Sequence, residues 1–308
     1  MKLRDLVTYR NHLINTLQVR LNPTPLSDNS SIIDKLSRTT AKGFEQYVDG
    51  IDGMSEQCKS IASAYNNVTE DFKVLIERVE KDIDTWSDEM FDNYQEIFTF
   101  ETIAIKLNTL KLSDDVKLKI QDKIILHGSN WRYPGLQFFP TSVEWVKTMV
   151  SMDPLYLAGT SLTYLEESIK DYPKQYQNRL RIYKIQTVNF ARFPQQQFGF
   201  IFCLGGLKFL HSKYLEKFVT RAFGLLRPGG VFVFGYNNCE TDVLIDSAEF
   251  QEISYYSNRK LRALCDKVGY EIISLEDLEG FGGLAEIRKP GTLTTVKAHQ
   301  AMAQILVK

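Results

Sequence analysis

The sequence predicts an α/β fold, a mostly parallel sheet preceded by a long α-helical coiled-coil region. Three observations predict it. Phe198 to Asn238 reads as buried strand, helix, tight turn and second buried strand. Apolar residues from Phe44 to Val79 alternate at spacings of three and four. Beyond residue 112, further short apolar runs alternate with amphipathic stretches, the pattern of strands joined by crossover helices. These divide the chain into a helical region over 1–98, an α/β domain over 99–290 and a helical extension over 291–308.

At 308 residues and 44% hydrophobic content the chain is long and apolar enough for a substantial core. A net charge of -1 speaks against a dedicated nucleic-acid surface. The four cysteines, Cys58, Cys203, Cys239 and Cys265, include no C-x-x-C pair, and the histidines are dispersed, so no metal site is expected. The first residues lack the apolar core of a signal peptide, and no run approaches the roughly 18 apolar residues of a membrane span. The expected setting is the cytoplasm or a virus particle.

Leu3, Leu6, Leu13 and Leu17, with Arg10 in the remaining slot, form the apolar strip of a short amphipathic helix, which Pro23 and Pro25 break. The long repeat then runs through Phe44, Tyr47, Ile51, Met54, Cys58, Ile61, Tyr65, Val68, Phe72, Leu75 and Val79. A heptad pattern sustained this far predicts a coiled coil, and Ile83, four residues on, inserts a stutter. A helix from Ile32 to Phe91 would be roughly 90 Å long. Gly43, Gly50 and Gly53 weaken its first half by up to ~1 kcal/mol each. Self-association through residues 32–91 is the expected use of this seam; an intramolecular helical hairpin is the alternative.

Ser113-Asp114-Asp115 caps a helix through Ile120. Ile124-Ile125-Leu126 reads as the first strand of the sheet, Thr148 to Met152 as the second and Arg181 to Val188 as the third. Phe198 to Leu204 and Val231 to Gly235 are nearly all-apolar, as strands covered on both faces should be. Between them Tyr214, Phe218, Ala222 and Leu225 recur at helical spacing, and Arg227-Pro228-Gly229-Gly230 stops the helix. Ser257 caps a further helix through Lys267, which Gly269 closes, and Tyr270 to Ser274 and Gly283 to Pro290 complete the sheet. Val296, His299 and Ala303 suggest a short terminal helix.

The stretch Leu226-Arg227-Pro228-Gly229-Gly230-Val231-Phe232-Val233-Phe234 resembles the entry to the fifth strand in the class I S-adenosylmethionine-dependent methyltransferases, a Rossmann-like superfamily. His211 falls where many members have a histidine after the fourth strand. The resemblance spans residues 113 to 290 in order. It implies S-adenosylmethionine as cofactor if the domain is active, with Gly128 as the first glycine of the donor loop, Asp153 on the ribose hydroxyls, Asn189 and Phe190 beside the adenine, and His211 as candidate base. The donor loop departs from the family pattern: Leu126 takes the acidic position, and Asn130 and Arg132 replace the later glycines. Two functions are therefore expected in order. The first is a non-catalytic methyltransferase-like domain on an oligomerising coiled coil, a structural or adaptor component bound to other protein subunits of an assembly. The second is an active methyltransferase acting on a small molecule or a protein.

Overall fold

The structure, a computed structural model, describes residues 3–21, 41–93, 112–128, 133–140, 143–149, 151–170, 172–240, 242–249, 253 and 255–293. The chain divides into two compact units, Met1–Trp86 and Ser87–Lys308.

In the first unit, α1 (Leu3–Leu21) and most of α2 (Ala41–Asn93) are helical. Leu3, Leu6, Val7 and Leu13 are buried on α1, and Ile76, Val79 and Ile83 on α2. Arg10, the polar residue of the α1 strip, is fully buried, with Nη1 3.2 Å from Glu80 Oε1. This ion pair joins the two helices, so the seam around Glu80 is used within the chain, as the hairpin alternative has it. The seam side chains from Phe44 to Tyr65 and residues 32–40 lie outside the described residues.

In the second unit the elements run α3 (Asp114–Gly128), β1 (Gly135–Phe138), α4 (Val143–Thr148), β2 (Leu155–Gly159), α5 (Leu162–Ile169), α6 (Lys174–Gln177), β3 (Leu180–Lys184), β4 (Phe198–Cys203), α7 (Ser212–Leu225), β5 (Leu226–Tyr236), α8 (Asp242–Glu249), α9 (Asn258–Val268), β6 (Glu271–Leu278) and β7 (Gly282–Arg288). The described strands form one sheet in the order β3-β2-β1-β4-β5-β7-β6. The first five are mutually parallel, and β7 is antiparallel to both β5 and β6.

Alternation along the strands sends Phe200, Phe202, Val231 and Val233 to one face, where they meet Ile120 and Ile124 of α3 and Trp145 and Val146 of α4. The opposite face receives α7, whose Phe218 ring lies 6.4 Å from that of Phe232. There the Tyr270 hydroxyl donates to Val219 O at 3.0 Å. The crossover unit from Phe198 to Asn238 is present as read. Its turn is a bulge inside β5: Phe198 pairs with Leu226 and Phe200 with Val231, so Arg227–Gly230 is looped out, with Gly229 at φ 77. Ser257 caps α9 through Lys260 N at 3.2 Å, and Gly269, at φ 93, closes it.

Two strands lie elsewhere than expected. Ile124-Ile125-Leu126 belongs to α3: Ile124 continues the buried four-residue spacing of Val116 and Ile120, while Ile125 and Leu126 are 58% and 69% exposed. Thr148 ends α4, and Met149 and Met152 pack into the core from the turn that follows it. The buried β-run comes three residues later, at Leu155–Gly159.

A polar cluster around the buried Glu286 ties α3 to the antiparallel edge of the sheet. Lys123 Nζ lies 2.7 Å from both Glu286 Oε2 and Glu276 Oε1, and His127 Nε2 lies 2.5 Å from Glu286 Oε1. The hydrogen bond from His127, and next that from Lys123, pull the Glu286 carboxyl down to about 2 against the opposing effect of burial.

Candidate functional site

A doubly wound sheet offers a ligand crevice where the strand order reverses, outside the carboxyl ends of its parallel strands. Here that point lies between β1 and β4. The chain leaves β1 as Phe138-Phe139-Pro140 and β4 as Leu204-Gly205-Gly206.

Phe139 sits at φ 47, a left-handed conformation in which glycine would be unstrained and an L side chain is disfavoured. Its N–H donates to Ala158 O of β2 at 2.7 Å, which pins the turn to the sheet. Its side chain is 3% exposed and lies against Gly206, in the turn that follows β4. A Cβ built on Gly206 would stand 2.1 Å from Phe139 Cδ2, so Gly206 is small because this ring lies against it. The missing side chain at Gly206 thus relieves a crowded strand end. Phe138 and Phe218 flank the ring, at centroid distances of 6.4 and 6.3 Å.

None of the five expected site residues reaches this point as a ligand contact. Gly128 ends helix α3 and follows no strand. Asp153 precedes the amino end of β2, the edge of the sheet away from the crevice, and its Oδ2 lies 3.2 Å from Arg179 Nε. The carboxyl end of β2 carries Gly159-Thr160-Ser161, with no carboxylate. Asn189 closes a local turn, its Oδ1 accepting from Ala191 N at 3.1 Å. It lines an open groove of about 580 Å³ with Gln195, Thr220, Arg221 and Gly224, beside the C-terminal half of α7. Phe190 is a core residue, its ring 4.8 Å from that of Phe218 and 5.0 Å from that of Phe138. His211 is 1% exposed and caps α7, its Nδ1 accepting from Lys213 N at 3.3 Å.

The resemblance calls for an acid and a glycine-rich turn at the end of the first strand. The true β1 is Gly135-Leu136-Gln137-Phe138, with Gln137 buried within the strand and Phe139-Pro140 following, so neither an acid nor a glycine stands at its end. The turn after β1 is thus filled by a ring, and the end of β2 carries no carboxylate. Burial pushes the Cys203 thiol at the end of β4 up to about 12.

Two residues of this edge were not singled out in the sequence, Phe139 and Lys208. Lys208 lies in the single turn Gly206–Phe209 and is 5% exposed. Its Nζ stands 3.8 Å from the centroid of the Phe281 ring, and burial pushes the amine down to about 7. The signals were a Phe-Phe-Pro exit from a strand and a lone lysine inside the apolar run Cys203–Leu210.

Among the described residues no group of three or more His, Cys, Asp or Glu is placed to hold a metal ion, and no helix is long and apolar enough to cross a membrane.

Neither a protein-family model nor a curated protein matches the chain. Among solved structures it is similar to the 4+2 cyclase SpnF, at 10% identity and TM-score 0.46 over 58% of this chain and 83% of that one. An S-adenosylmethionine-dependent methyltransferase from Mesorhizobium loti is similar at 10% identity and TM-score 0.46, over 56% and 97% of the two chains. Geranyl diphosphate C-methyltransferase from Streptomyces coelicolor A3(2) is similar at 7% identity and TM-score 0.45, over 56% and 78%. These are likenesses of fold.

Proposed function

We propose that the α/β domain is a methyltransferase-like scaffold that does not transfer methyl groups, and that the chain serves as a structural or adaptor component of a larger assembly, a virus particle being one such setting. The observation that carries this reading is the Phe139 side chain, buried against Gly206 where a donor would enter. An active methyltransferase would need that space for its cofactor. The heptad seam of α2 supplies the means of assembly. About 80 Å of helix lies between Ala41 and Asn93, against about 28 Å for α1, so α1 is too short to cover the whole seam. The stretch from Phe44 to Tyr65 is assigned to self-association and to contact with other subunits.

Sedimentation equilibrium tests the assembly role. The full chain is expected to form a discrete oligomer at micromolar concentration. Replacing Ile51 and Ile61 together by glutamate should return a monomer whose near-UV circular dichroism is unchanged, because two charges at seam positions cannot be buried without partners. A wild-type chain that stays monomeric at 100-fold higher concentration would overturn the reading.

A further inference from the structure

The tip of the β6–β7 hairpin, Glu279–Gly282, closes over Lys208 at the carboxyl edge of the sheet. Phe281 is 1% exposed and lies under the ammonium, and its N–H donates to Leu278 O at 3.0 Å. It is flanked by Gly280 at φ 70 and Gly282 at φ 104, two left-handed turn positions that favour glycine. A Cβ on Gly282 would stand 3.4 Å from Lys208 Nζ, 3.1 Å from Leu244 Cδ1 of α8 and 3.1 Å from the Tyr236 carbonyl oxygen of β5, which places the amine between hairpin, helix and sheet. Among the described residues Lys208 Nζ makes no hydrogen bond and no ion pair.

We propose that Lys208 and Phe281 form a proton-sensitive latch, in which the hairpin tip holds firmly over the neutral amine and more weakly over the ammonium. A buried ammonium that makes no ion pair or hydrogen bond has the ring face as its closest contact, and opening the tip returns it to water. The groups around it do not neutralise it. From the segment after β5 the buried Cys239 thiol faces it. α8 contributes Leu244 and β5 the Tyr236 carbonyl. The Asp277 carboxylate of β6 takes Asn238 Nδ2 at 3.0 Å on both oxygens, and Glu279 is exposed on the tip.

The direction follows from linkage. The amine sits at about 7 in the closed form and at its ordinary 10.5 once the tip is open. Opening therefore becomes easier as pH falls from 10.5 toward 7, and levels off below 7. Between pH 8.5 and pH 7 the open population should rise roughly fifteenfold.

Hydrogen exchange of the tip amides in the full chain, corrected for intrinsic exchange rates, reads this directly. Wild type should lose protection at Phe281 by about that factor from pH 8.5 to pH 7, and Lys208→Met, which carries no charge at any pH, should show no such loss. Equal pH dependence in the two chains, or none in wild type, would overturn the latch. Should Lys208→Met not fold, NMR titration of the wild-type Lys208 side chain decides: a midpoint near 7 supports the latch, and one above 10 overturns it.

Discussion

Truncating Phe139 to alanine is expected to destabilise the α/β domain by about 4 kcal/mol, the usual loss for a buried phenylalanine. The ring is 3% exposed, and its neighbours Phe138 and Phe218 are held by their own strand and helix, so the space cannot collapse. Phe139→Gly sharpens the test. It removes the same packing but relieves the left-handed backbone, by ~1 kcal/mol, against the entropy glycine adds to the unfolded chain. The glycine variant should therefore be at least as stable as the alanine variant in urea melts. A loss below 1 kcal/mol for Phe139→Ala would mean that the ring does not fill the crevice.

The opposite sign is expected at Lys208. Its amine is pushed down to about 7 in the fold, from 10.5 in the unfolded chain, so wild-type stability rises with pH between these values and the full penalty is felt below 7. The shift corresponds to at most ~5 kcal/mol, reduced by the lost ring contact. Lys208→Met should thus stabilise the chain by about 2 kcal/mol at pH 6.5, with the gain shrinking toward zero near pH 10.5. Denaturant melts across this range check it. A gain that does not change with pH would place the effect in packing and not in charge.

Much of the sheet was legible because β4 and β5 are buried on both faces and so read as unbroken apolar runs between a helix and a proline-glycine turn. β1 was not, for a physical reason. Its four residues include Gly135 and Gln137, each held by its surroundings: a Cβ on Gly135 would meet Met152 Sδ at 2.0 Å, and Gln137 is 1% exposed inside the sheet. Ile124-Ile125-Leu126 offered a better-looking strand. A run of three apolar residues does not distinguish a strand from one buried and two exposed positions of a helix. The site residues were counted from that misplaced strand, and from a second strand placed at Thr148–Met152. Gly128 and Asp153 were thereby carried to a helix end and to the wrong edge of the sheet. Ser257 was legible at a helix start because a side chain that caps a helix sits at a fixed offset from it. What local patterns could not show is which side chain fills the crevice, since that depends on β1 and β4 lying side by side.

Phe139, buried against Gly206, leaves no room for a methyl donor between β1 and β4 in the proposed reading. Calorimetric titration of the full chain with S-adenosylmethionine, and with S-adenosylhomocysteine alongside, tests it most directly. The account predicts no saturable heat up to millimolar ligand, a free energy of binding weaker than about -4 kcal/mol. Saturable binding at micromolar concentration would contradict it.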